Sequence, residues 1–188
     1  MGIIKAKIDY SKNGPNDEYY TPFEAVDMII PFIPQEVRTI WECTAIEGSR
    51  IVEVLRSHGY NVIPTHIKDG FDFFDYKPID FDLLVTNPPY SLKDKFLKRA
   101  FELKKPFMFL LPTTTLEGLK RGKMFREHRI QLLVPDRRFS FTEKKSGAWF
   151  HTSWFTYGLE LENDLNFVCL SRRVLDIVDV NNELDQAA

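Results

Sequence analysis

Asn87, Pro88, Pro89 and Tyr90 follow an apolar run, residues 81–86, that reads as a buried strand ending in a tight turn. An exocyclic amino group is a poor nucleophile because its lone pair is delocalised into the ring. Two acceptors aimed at its hydrogens draw the nitrogen toward tetrahedral geometry and free that pair. The Asn87 side-chain oxygen and the Pro88 carbonyl are suited to be those acceptors. Pro88 and Pro89 fix their own φ, and Pro88 also restricts Asn87. The acceptors are therefore held before a substrate arrives, which is electrostatic preorganisation. Tyr90 offers a flat face on which a planar base or amide can stack. Asn, Pro and Tyr are also ordinary loop residues. A strand-to-loop transition at the carboxyl edge of a sheet, however, is where open α/β folds place ligands.

The rest of the chain must supply such a sheet. Strands are expected at 39–43, 62–66, 81–86 and 107–111, with further candidates at 130–134, 149–157 and 166–170. Helical spacing occupies 23–32, with Pro22 opening the helix and Thr21 as its cap. It recurs at 49–58, stopped by Gly59, and at 92–103. Alternating strands and helices predict an α/β fold with a mostly parallel sheet and helices on both faces. One domain is natural for 188 residues. We divide it into an N-terminal arm, 1–18, a domain over 19–170, and an acidic tail, 171–188.

Composition is that of a globular protein, 44% apolar and 28% charged, with sixteen Phe. No apolar run approaches the ~20 residues of a membrane span, and the first residues carry no signal-peptide pattern. The two cysteines, Cys43 and Cys169, form no metal-spacing motif and fit a reducing compartment, so a cytoplasmic location is expected. Net charge is −2 but unevenly spread. Lys120, Arg121, Lys123, Arg126, Arg129, Arg137, Arg138, Lys144 and Lys145 crowd one region, and the C-terminal end is acidic. Near 135–150 basic and aromatic residues are interleaved: Arg137-Arg138-Phe139-Ser140-Phe141, then Lys144-Lys145 and Trp149-Phe150. That pairing suits phosphate contact and base stacking, and equally a charged hairpin with one buried aromatic face.

The tetrapeptide Asn87-Pro88-Pro89-Tyr90 resembles the Asn-Pro-Pro-Tyr motif of amino methyltransferases, which act on adenine N6 in nucleic acids or on glutamine amides of release factors. The resemblance spans about residues 19–159 and is nearest to small phage-type N6-adenine DNA methyltransferases. It implies a Rossmann-like fold, S-adenosylmethionine as cofactor, no metal, DNA as partner, and a host cytoplasm as location if phage-encoded. Tyr20-Thr21-Pro22 resembles the segment that meets the methionine end of the cofactor. Glu42 and Gly48 stand where the glycine-rich first motif belongs, and Glu42 would bind the methionine ammonium. The segment 61–67 resembles the second strand. Asp72 would take the cofactor's adenine amino group, with Phe73 beside the ring. Arg137, Arg138, Lys144 and Lys145 fall in the segment that would meet DNA.

Two positions depart from the pattern. Ile46 stands where a glycine is expected, in an eroded first motif, and a positive φ would strain a β-branched residue. His66 stands where an acid would grip both ribose hydroxyls, and a neutral imidazole is a poor bidentate acceptor. Asp69, nearby, is a possible substitute. Three functions stay open: a DNA adenine methyltransferase transferring methyl directly to a flipped base, a catalytically impaired relative that binds nucleic acid or protein, and a protein glutamine methyltransferase.

Overall fold

The computed structural model describes residues 20–141 and 151–170. Seven strands form one sheet: β1 Thr39–Glu42, β2 Asn61–Pro64, β3 Leu83–Thr86, β4 Phe107–Pro112, β5 Gln131–Pro135, β6 Thr152–Tyr157 and β7 Leu165–Val168. Their order is β2-β1-β3-β4-β6-β5-β7. β6 runs antiparallel to both β4 and β5, and every other pairing is parallel. From β1 the chain goes outward to β2, then returns to place β3 on the other side. The carboxyl ends of β1 and β3 therefore flank a topological switch point, where open α/β sheets leave a crevice.

Side chains of the central strands alternate between two cores, as the period of two requires. Ile40, Leu83, Val85, Met108 and Leu110 face one core, with Ala25, Val26 and the inner face of α2, Arg50–Ser57. Trp41, Leu84, Phe107, Phe109 and Leu111 face the other, against Phe96, Leu97, Ala100 and Phe101 of α3, Lys93–Leu103. Most of the phenylalanine excess is on this second side, where Phe73 stacks on Phe96 with centroids 4.7 Å apart. Asp82 Oδ2 ties the entry of β3 to that of β1 by accepting from the backbone N–H of Arg38 and Thr39, each at 2.8 Å. No helix among the described residues is long and apolar enough to cross a membrane.

Three local expectations are corrected. The helix expected over 23–32 is a short α1, Phe23–Asp27, followed by a separate 3-10 turn, Ile30–Phe32. Pro31 has no N–H to continue the ladder. Thr21 does not cap α1: the cap position is Pro22, without a side-chain bond, and the Thr21 hydroxyl is used elsewhere. A helix absent from the expectations, α4 at Leu119–His128, joins β4 to β5. It buries no residue, so it has no apolar stripe to betray it. The strand expected over 149–157 is described from Thr152. The N-terminal arm, the acidic tail and residues 142–150, Lys144 and Lys145 among them, lie outside the described residues.

Candidate active site

A cleft opens at the switch point, with about 740 Å³ of empty space counted out into open solvent. Of the expected site residues, Tyr20, Thr21, Glu42, His66, Phe73, Asn87 and Pro89 line it. Pro22, Gly48, Asp72, Pro88 and Tyr90 do not. Thr44, Ile46, Ser49, Arg50, Ile67 and Phe71 are among the other residues of the wall.

Its floor is organised by Glu42, the last residue of β1, which is almost completely buried. Oε1 accepts from the Thr44 N–H at 2.9 Å, the Thr44 hydroxyl at 2.8 Å and the Thr86 hydroxyl at 2.7 Å. Oε2 accepts from the Ser49 hydroxyl at 3.4 Å. The Thr44 and Thr86 hydroxyls are themselves 2.6 Å apart. While Glu42 is ionised, two hydroxyl protons serve these three oxygen–oxygen contacts; a proton on Glu42 would supply the third. Burial pushes the Glu42 pKa up to about 6, against the lowering effect of hydrogen bonds from Thr86, Thr44 and Ser49. Burial, and next the Glu42 charge, push the neighbouring Cys43 thiol well above its ordinary value, so it is no nucleophile at neutral pH.

The turn after β1 explains how Ile46 is tolerated. The Ser49 N–H donates to the Ile46 carbonyl at 3.0 Å, closing a four-residue turn. The positive φ falls on Gly48, at +73°, while Ile46 keeps an ordinary negative φ. That is the type II pattern, with glycine third in the turn. The ring of Tyr20 lies over this glycine, 3.8 Å from where a Cβ would be, and the Tyr20 hydroxyl donates to the Glu47 carbonyl at 3.2 Å. Thr65 fixes the turn from below. Its carbonyl accepts from the Ala45 N–H, its own N–H donates to the Glu42 carbonyl, and its hydroxyl accepts from Trp41 Nε1 at 2.8 Å.

His66 is buried and its Nδ1 accepts from the Lys68 N–H at 3.1 Å, capping the 3-10 turn Ile67–Asp69. That bond leaves Nδ1 unprotonated, so the ring proton is on Nε2. At this strand end the chain therefore has a hydrogen-bond donor where an acid would accept. Asp72 turns one oxygen onto the Phe74 N–H at 3.0 Å, closing its own loop. Phe73 is core, packed against Trp41 and Phe96. The accessible aromatic on this wall is Phe71, 39% exposed.

Asn87 follows β3 and lines the cleft. Its Nδ2 donates to the Thr21 hydroxyl at 3.2 Å. Its Oδ1 is buried and has no hydrogen-bond partner. A buried carbonyl oxygen left without a donor costs about 1–3 kcal/mol, so it marks a place where something is meant to bind. Tyr90 begins the 3-10 turn Tyr90–Leu92 leading into α3, and its ring packs on the second core. Lys93 Nζ donates to its carbonyl at 3.0 Å.

Two further features belong to the rim. The Arg50 guanidinium, from the first position of α2, lies 5.0 Å from the Phe23 ring centroid and 5.7 Å from that of Tyr20. Nothing in the sequence separates Arg50 from an ordinary exposed helix residue. Arg137 and Arg138 are exposed and follow β5, which points the same way as β1 and β3. They therefore emerge at the edge that holds Asn87. Arg137 Nη2 is 3.7 Å from Glu24, and Arg138 Nε donates to His151 Nε2 at 3.0 Å. Phe139, next in the chain, is buried, so it belongs to the core and not to a stacking surface.

No family model matches the chain, and no curated protein matches it in sequence. Solved structures do. The methyltransferase subunit of a type I restriction-modification system from Streptococcus thermophilus superposes with a TM-score of 0.52 at 17% identity, over 81% of this chain and 47% of the subunit. A modification subunit of a type I restriction enzyme from Vibrio vulnificus YJ016 gives 0.49 at 12% identity, over 78% and 45%. A release factor-specific protein-(glutamine-N5) methyltransferase from Alicyclobacillus acidocaldarius gives 0.41 at 16% identity, over 73% and 93%. The last two superpose too loosely to carry an argument. The chain spans about half the length of the restriction-modification subunits. The fold is thus the Rossmann-like α/β fold of methyltransferases.

Proposed function

We propose that the chain is a DNA methyltransferase that moves a methyl group from S-adenosylmethionine to N6 of an extruded adenine. The observation that carries this reading is the orphaned Asn87 Oδ1, buried at the carboxyl end of β3 while its amide nitrogen is held by Thr21. An amino group reaching this oxygen would satisfy it. The Pro88 carbonyl would take the second N–H, and N6 would be turned toward the donor before any bond forms. Asn87 accepts hydrogen bonds and not the proton itself, which leaves to water after transfer.

The cleft residues fit the cofactor. Glu42 sets a buried acid where the ammonium would lie, and Arg50 a cation at the rim for the carboxylate. Phe71, Ile67 and Ile46 give apolar walls to a ring. When bound, S-adenosylmethionine supplies an electrophilic methyl group on a sulfonium. The unstrained turn at Ile46 removes one ground for regarding the chain as an impaired relative. Exposed Arg137 and Arg138 on the Asn87 edge favour a polyanion over a release factor.

The test is transfer of labelled methyl groups from S-adenosylmethionine to unmethylated duplex DNA, with a glutamine-bearing release-factor domain in parallel. Label in N6-methyladenine, lost in Asn87→Ala while calorimetric binding of S-adenosylmethionine is kept, supports the reading. Label in the protein alone, or no cofactor binding, refutes it.

A further inference from the structure

Helix α4 and the loop before it serve none of the chemistry above, yet they are built to a plan. The loop leaves β4 at the carboxyl edge. β4 pairs with β3 so that Phe109 lies opposite Thr86, which places this loop beside the one that carries Asn87. Arg121 holds it rigid. Its Nε donates to the Thr115 carbonyl at 2.7 Å, its Nη2 to the Glu117 carbonyl, and its Nη1 meets Asp94 of α3 at 2.7 Å. Gly118 has φ +122°, and a Cβ there would come within 2.7 Å of Arg121 Nη2. The loop is thus clamped to the helix that begins just after Tyr90.

On this clamped tip sit two leucines turned to solvent. Leu119 is 91% exposed and Leu116 42%. Leu119, Lys123 and Arg126 recur at i, i+4 and i+7, one face of the helix, over about 10 Å at 1.5 Å per residue. Lys120, Lys123 and Arg126 are exposed, against the acids Glu117 and Glu127, of which Glu127 lies 3.8 Å from Lys123. Arg121 is neutralised by Asp94. The surface is a stiff apolar point followed by a row of cations.

We infer that this element docks on duplex DNA, with Leu119 entering the base stack beside the extruded nucleotide and Lys120, Lys123 and Arg126 on the flanking phosphates. The inference rests on the DNA substrate proposed above. A protein partner fits less well: two leucines are far from the roughly 1,200–2,000 Å² that a stable protein interface buries. A polyanion with an apolar interior matches both parts. Apolar side chains wedged between base steps offset the unstacking that extrusion requires, and a wedge must be stiff to do so. Single-stranded DNA has no paired stack to open, so it needs the cations but not the leucine.

The experiment titrates fluorescein-labelled duplex and single-stranded DNA of one sequence with wild type, Leu119→Ala and Lys120→Gln/Lys123→Gln, and measures methyl transfer alongside. Because Leu119 is almost fully exposed, its truncation spares the fold. Leu119→Ala is expected to lose about tenfold in duplex affinity and less than about twofold on the single strand. The lysine variant is expected to weaken on both, with a shallower salt dependence. Duplex affinity unchanged in Leu119→Ala, or an equal loss on both DNAs, overturns the wedge even with methyl transfer intact. A duplex-specific loss without any methyl transfer by wild type upholds the wedge and removes the methyltransferase reading. Failure of wild type to bind either DNA removes both.

Discussion

The Thr21 hydroxyl accepts a hydrogen bond from Asn87 Nδ2 at 3.2 Å, joining residues 66 positions apart in sequence. An Asn amide has oxygen and nitrogen of nearly equal size, so the cleft would accept either orientation unless a neighbour chooses. In the structure Thr21 holds the nitrogen, and Oδ1 is left as the acceptor.

Thr21→Val should therefore lower the rate of methyl transfer roughly two- to tenfold, the worth of one neutral hydrogen bond. The fall should lie in kcat more than in KM for DNA, and Thr21→Ser should restore it. Steady-state kinetics on the three proteins checks this. An equal loss in Thr21→Ser would point to packing and not to amide orientation.

Glu42 should leave a signature in the pH dependence of stability. Its pKa is raised from 4.5 to about 6, so between those values the native state keeps a proton that the unfolded chain releases. Stability then falls as pH rises through this window, by about 2 kcal/mol at about 1.4 kcal/mol per unit. Urea unfolding of wild type and Glu42→Gln from pH 4 to 7 isolates the effect as their difference. A wild-type stability that rises relative to Glu42→Gln across the window would reverse the sign and sink the assignment.

The two departures from the expected cofactor pattern should behave differently. Asp at position 66 can still cap the Lys68 N–H and would add an acceptor for a ribose hydroxyl. His66→Asp should tighten S-adenosylmethionine binding by about 1.5–3 kcal/mol, roughly ten- to a hundredfold. Ile46→Gly removes an apolar wall from a turn that carries no strain at that residue, and should weaken binding. Calorimetry on both single variants decides; tighter binding by Ile46→Gly would mean that the isoleucine blocks the pocket.

Arg137→Ala/Arg138→Ala should weaken DNA binding and flatten its dependence on salt by up to about two phosphate contacts. Affinity measured at several salt concentrations checks it. Identical slopes for wild type and variant would take these arginines out of the interface.

The sheet was legible because β3 and β4 are apolar runs and α2 and α3 carry clear stripes. Phe107–Pro112 and the run before Asn87 needed no tertiary knowledge. Helix α4 escaped because none of its residues is fully buried, and Met124 and Phe125, its two aromatic or sulfur-bearing contacts with the core, are too few to make a periodic signal. Thr21 was misassigned as a cap for a related reason: a threonine before a proline has the local form of a cap, while its bond is to Asn87 in the loop after β3. Phe73 and Phe71 show the same limit. Both line the cleft, and two aromatics in one loop look alike until the fold buries one and leaves the other exposed. Glu42 was legible as a strand-end acid, but not as the carboxylate that accepts from three hydroxyl groups, one on β3 and two in the turn after β1.

Antiparallel β6 has a consequence for how such a chain diversifies. Because β5 ends and β6 begins at the carboxyl edge, the segment joining Pro135 to Thr152 starts and finishes beside the cleft. The frame beneath it is set independently by six paired positions between β4 and β6, from Phe107↔Tyr157 to Pro112↔Thr152. Insertions, deletions and wholesale replacement between these points leave that register untouched. On the proposed function, the geometry separates what a lineage can change, the choice of target, from what it must keep, the chemistry at Asn87. Descendants of one ancestor could come to mark different sequences while folding the same way.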